Sequence, residues 1–134
     1  MMSSLFTSAG TLHYSEHGYK LAVDVDPEIV RYYRSFVPKH IKMNHQAYEP
    51  HISVVRKEVV PNLQFWRKYE GEQVVFQYSN FICFGELYVW LNVLCKRLED
   101  IREELGLSRS SEITKPPEGF DWMFHCTLGN FKRI

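Results

Sequence analysis

The sequence predicts an α+β fold of two related lobes, with antiparallel sheets around a central cleft and helices outside. Three observations lead there. Apolar residues recur at every second position in several short runs and at helical spacing in two others. The order strand, helix, polar loop, strand occurs twice. The strand that closes each half carries a histidine two residues before a hydroxyl side chain. One domain spanning 1–134 is expected, with an internal pseudo-repeat at about 18–58 and 86–130.

The N-terminal stretch MMSSLFTSAG has neither a basic region nor a long apolar run, so no signal peptide is expected. The following HYSEHG reads as a turn. Residues 19–25 (YKLAVDV) alternate as a strand, with Leu21, Val23 and Val25 on one face. Asp26 is a helix N-cap and Pro27 suits the first helical position. Ile29, Val30, Tyr33, Phe36 and Val37 then keep helical spacing until Pro38. After a polar loop, PHISVVRKE (50–58) is a strand rich in β-branched residues. NLQFWRKYEG reads as a short helix ending at Gly71, and 72–79 and 80–85 as a strand pair or meander.

The second half repeats the pattern. Leu87, Val89, Leu91 and Val93 alternate over 86–94, and Leu98, Ile101 and Leu105 form a narrow helical stripe closed by Gly106. Glu99, Asp100, Glu103 and Glu104 read as the solvated face of that helix, tempered by Lys96, Arg97 and Arg102. LSRSSEITKPPEG (107–119) is a polar loop long enough to serve a function. DWMFHCTLGN adds the last strand.

Composition narrows the classes. Hydrophobic residues make up 45% of the chain and charged ones 24%, as in ordinary globular domains. The formal net charge is zero, so no long nucleic acid is expected as partner, while a small anionic ligand needs only a local positive cavity. Cys83, Cys95 and Cys126 lie in apolar runs without a C-x-x-C pair, and read as buried residues in a reducing compartment. No run is long enough to cross a membrane. The expected location is the cytoplasm.

The chemistry lies in two short matches. PHISVV sets His51 and Ser53 on one face with Ile52 and Val54 on the other; FHCTLG does the same with His125 and Thr127. A strand period of two holds each histidine and its hydroxyl about 6–7 Å apart, pointing the same way. If the two strands sit centrally, four groups converge on one cavity. Two imidazoles can divide the proton transfers of phosphodiester cleavage near neutral pH, one accepting and one donating. Hydroxyls from Ser53 and Thr127 can hold the non-bridging oxygens as charge grows. Spacing leaves open which histidine is base and which acid. No cofactor and no metal are expected: His13 and His17 fall in a turn, and His40 and His45 in a loop.

On HISV (51–54), HCTL (125–128) and the duplicated element order, the chain resembles the 2H phosphoesterases. The resemblance runs from about Gly18 to Asn130. YYRSFVPK, HISVVRKE, PNLQFWRKYEGE and CKRLEDIREELGL look most like phage anti-CBASS phosphodiesterases. Those enzymes cleave the cyclic di- and trinucleotides of bacterial defence and so prevent effector activation. The resemblance implies a metal-independent hydrolase of that kind, with a cyclic oligonucleotide as partner and the family's two-lobed fold. Its alternatives are an RNA 2′,3′-cyclic phosphodiesterase of the ligase type and a nucleotide-binding sponge without turnover.

Substrate contacts are expected from Tyr19, as a stacking aromatic, and from Lys57, which shares the His51 face by parity. Parity sets Trp122 and Tyr48 on the opposite face, towards the core. Arg56, Lys132 and Arg133 read as solvated charges at strand ends.

Overall fold

Two strands longer than any run the sequence patterns marked out decide the architecture. The computed structural model describes residues 5–15, 17–109 and 124–132. Strand β1 is Leu5–Ser15 and β2 Lys20–Asp24; helix α1 is Pro27–Arg34; then follow β3 (His51–Val55), β4 (Gln73–Phe84), β5 (Tyr88–Leu94), helix α2 (Lys96–Glu104) and β6 (Phe124–Asn130). Among the described residues these strands form one closed antiparallel barrel in the order β1-β2-β3-β6-β5-β4.

The two-lobed α+β arrangement, with helices outside separate sheets, is therefore not what forms. Among the described residues the regular structure is mostly sheet, with two short α-helices. β1 and β4 are the reason. The first part of β1 pairs with β4, from Leu5 opposite Ser79 to Thr11 opposite Gln73. Its remainder pairs with β2, from Thr11 opposite Asp24 to Ser15 opposite Lys20. Gly10 sits at the changeover, where a Cβ would overlap the Asp24 carbonyl oxygen and the Val23 side chain. β4 is a single strand rather than a strand pair: it pairs with β1 over 73–79 and with β5 over 77–84, shifting register between Tyr78 and Ile82. Each long strand thus bridges what would have been two sheets. Exchanging β1 with β4, β2 with β5 and β3 with β6 reproduces the strand order.

Local signals explain the helices. The Asp26 carboxylate accepts the Glu28 N–H at 3.0 Å, and Pro27 opens α1. At the end of α2, Gly106 takes a left-handed φ of 87°, and Leu107 N–H bonds the Arg102 carbonyl at 2.9 Å. The helix expected before Gly71 shrinks to a 3-10 turn at Leu63–Phe65, because Trp66 is extended and Arg67 left-handed.

The core lies on the strand face that the helices cover. Leu21, Val23, Ile52, Val54, Phe124 and Cys126 pack there with Leu98 and Ile101 of α2 and with Leu105 at its C-cap. Tyr33 of α1 joins Val89, Leu91 and Leu128 beside them. Two arginines tie this layer together. Arg102 is not on the solvated face: it is fully buried, donates to both Glu58 carboxylate oxygens at 2.8 Å, and reaches the Val54 and Ser108 carbonyls. Arg34 donates to the Leu128 carbonyl at 2.7 Å, joining α1 to β6.

Candidate active site

The two matches lie on adjacent strands. β3 pairs antiparallel with β6, and Ile52 stands opposite Cys126. Continuing that register sets His51 opposite Thr127 and Ser53 opposite His125. Ile52, Val54, Phe124, Cys126 and Leu128 are buried, whereas His51, Ser53, His125 and Thr127 are only partly buried on the other face. The four groups form a quadrilateral in which the histidines occupy one diagonal, about 7–8 Å apart at the backbone. A histidine from one strand neighbours a hydroxyl from the other at both ends.

His51 opens β3 at the edge of a cavity of about 220 Å³, lined by residues 45–51 together with Val30, Thr127 and Leu128. Its Nδ1 lies 2.8 Å from the Glu49 carbonyl oxygen. A carbonyl can only accept, so Nδ1 carries a proton and Nε2 is left for proton exchange. The cavity wall is anchored at both ends. Asn44 and Asn130 exchange backbone hydrogen bonds at 2.8 and 3.1 Å, and Val25 N–H reaches the Pro50 carbonyl at 3.1 Å. Asn130 also donates its side-chain amide to Gln46.

His125 occupies a different environment. The Trp90 ring stacks on its imidazole, with centroids 4.9 Å apart and planes 23° apart. Trp90 Nε1–H donates to Asn92 Oδ1 at 3.0 Å, and Asn92 Nδ2–H donates to Cys83 Sγ at 3.3 Å. Desolvation under this cover lowers the His125 pKa from 6.5 to about 4, so its ring is neutral at physiological pH. Neither His125 nor Ser53 lines the cavity; they stand one strand position further along the polar face.

Other expected contacts are not assembled. Tyr19 lies in the β1–β2 turn, edge-on to Trp66 at 5.5 Å between centroids, and is not part of the cavity. Lys57 follows the end of β3 with a φ of 56°, so strand parity no longer applies to it, and it too is outside the cavity. Trp122, Arg133 and residues 110–119 of the polar loop lie outside the described residues. His13, expected in a turn, lies in β1 and pairs with Glu70 at 3.5 Å. Tyr48, expected towards the core, is 73% exposed and lines the cavity, because residues 47–50 are loop and not strand. The contact of Trp90 with His125 had no local sequence signal, since it joins two strands through their pairing. Among the described residues no group of three His, Cys, Asp or Glu side chains is arranged to hold a metal ion.

Comparison of the chain with family models, with curated proteins and with solved structures finds no match.

Proposed function

We propose that the chain is a phosphodiesterase of the 2H type that cleaves 3′–5′ linked ribonucleotides, with cyclic di- and trinucleotide signals as substrates. The observation that carries this reading is the β3–β6 pairing, which brings both histidine–hydroxyl pairs to one polar face. The reading rests on those four side chains and not on the barrel, which serves many functions in other proteins.

The environments of the two histidines suggest their roles. His125, neutral under Trp90, is the base: it takes the proton of a ribose 2′-hydroxyl. The 2′ oxygen then bonds to the adjacent phosphorus as the bond from phosphorus to the 5′ oxygen breaks. His51, with Nε2 free at the cavity, supplies the proton that the leaving oxygen needs. Ser53 and Thr127 donate to the non-bridging oxygens as charge builds. The products are a 2′,3′-cyclic phosphate and a free 5′-hydroxyl. Water attack on the cyclic phosphate, with the proton transfers reversed, opens it and resets both rings. No step as written requires a cation. Released in a bacterial cytoplasm, such an activity would remove cyclic nucleotide alarm signals and blunt the defence they trigger.

Incubation with cyclic di- and trinucleotides in EDTA, with chromatography of the products, tests this. Linear products are expected, lost in His51→Ala and His125→Ala. Intact nucleotides with binding retained would identify a sponge, and turnover confined to RNA ends bearing a 2′,3′-cyclic phosphate would identify the RNA enzyme.

A further inference from the structure

The cavity beside His51 has a composition that the phosphate chemistry does not use. Tyr48, exposed over most of its surface, and Glu49 stand in its wall next to His51 and Thr127. The Glu49 side chain is exposed there, and its carboxylate can only accept hydrogen bonds. An exposed aromatic ring beside it offers a stacking face. Lys20 Nζ is 6.0 Å from the centroid of that ring, at the outer limit of a cation–π contact. The wall itself is held in place: the Glu49 carbonyl is bonded to the His51 ring, the Pro50 carbonyl to Val25, and Asn44 to Asn130. A cavity of about 220 Å³ has room for one heterocycle and not for a drug-sized ligand.

We propose that Tyr48 and Glu49 form a nucleobase subsite selective for guanine, placed so that the attached phosphate reaches His51 and Thr127. The subsite deepens the phosphodiesterase reading and rests on it for the position of the phosphate. Guanine presents two neighbouring donors, N1–H and the N2 amino group, which match the two oxygens of one carboxylate. Adenine offers only its N6 amino group beside an acceptor, N1, which faces the carboxylate unfavourably. Tyr48 supplies the stacking that any base enjoys, and Glu49 supplies the discrimination.

The test measures equilibrium binding of guanosine 3′-monophosphate and adenosine 3′-monophosphate to the full chain, alongside turnover of guanine- and adenine-containing cyclic dinucleotides. Guanosine 3′-monophosphate is expected to bind about tenfold or more tightly than the adenosine form, as one bidentate pair provides. Glu49→Gln should remove most of that preference, while Tyr48→Ala should weaken both ligands about tenfold and Tyr48→Phe neither. Equal affinities, failure of guanosine 3′-monophosphate to bind, or indifference to Glu49→Gln and Tyr48→Ala would overturn the subsite. Guanine-selective binding without turnover of any cyclic dinucleotide would uphold the subsite and overturn the phosphodiesterase. Turnover indifferent to base and to both substitutions would do the reverse.

Discussion

His51 and His125 are alike in sequence context and unlike in surroundings, and that difference can be measured. Removing either imidazole removes a proton transfer, so His51→Ala and His125→Ala should each lower turnover by about 10²–10⁴-fold, seen as slower product release in chromatography. For His125 there is also an effect on stability. Its folded pKa, about 4, lies below the ordinary 6.5, so on acidification the unfolded chain takes up the proton first. The associated stability is complete above pH 6.5 and is lost between 6.5 and 4. Its partly exposed ring limits the loss to roughly 2–3 kcal/mol, measurable by urea unfolding at pH 7 and pH 4 in the wild type and in His125→Phe. Trp90→Ala should let water reach the ring and move the His125 titration upward towards 6.5, read by NMR of the imidazole protons. At this scale the sequence was informative because a strand's period of two is local: His51 with Ser53 and His125 with Thr127 needed no knowledge of distant residues. Trp90 and Tyr48 were hidden, one behind a strand pairing and the other in a loop where parity has no meaning.

Elements differ in how much of their shape is written in their own residues. Asp26 and Pro27 announce α1, and the Asp26 cap bond is present as expected; Asp26→Ala should cost about 1 kcal/mol in chemical denaturation. Gly106 likewise ends α2 in the left-handed region, where a side chain would also meet Pro61. β1 is the contrary case. Leu5 and Phe6 are exposed, and Thr7, Ser8, Ala9 and Gly10 show no apolar alternation, so nothing local marks the first half of the strand, whereas Leu12 and Tyr14 alternate into the core in its second half. It is extended because β4 and β2 supply backbone partners; the pairing with β2 is a local hairpin, but that with β4, from Leu5 opposite Ser79 to Thr11 opposite Gln73, joins segments far apart in the chain. β4 looks like two pieces in the sequence for the related reason that its register shift sits where it changes partner. Gly10→Val tests the bend: the added side chain would collide with Asp24 and Val23, and loss of thermal stability is expected, with far-UV circular dichroism reporting lost sheet.

For the whole molecule, closure replaces the cleft between lobes that the repeated element order led us to expect. Period and motif spacing were legible, but which strands meet at the far side of a sheet depends on β1 and β4, whose pairing no short window contains. Closure also makes the tie between α2 and β3 matter globally. Arg102 is fully buried and its charge is met by Glu58, so Glu58→Ala should cost about 3–5 kcal/mol in unfolding free energy by leaving a cation without its partner. The strand pairings around the ring are uneven in extent. Among the described residues β1 and β4 share seven paired positions, whereas β3 and β6 are joined at Ile52 and Cys126 alone. The staves that carry the histidines therefore meet along the slackest joint, and thermal breathing should part them there before the rest of the hoop gives way. Amide hydrogens of Ile52 and Cys126 should exchange sooner than those of β1 and β4, and a bound nucleotide spanning both staves would act as a clasp that slows them.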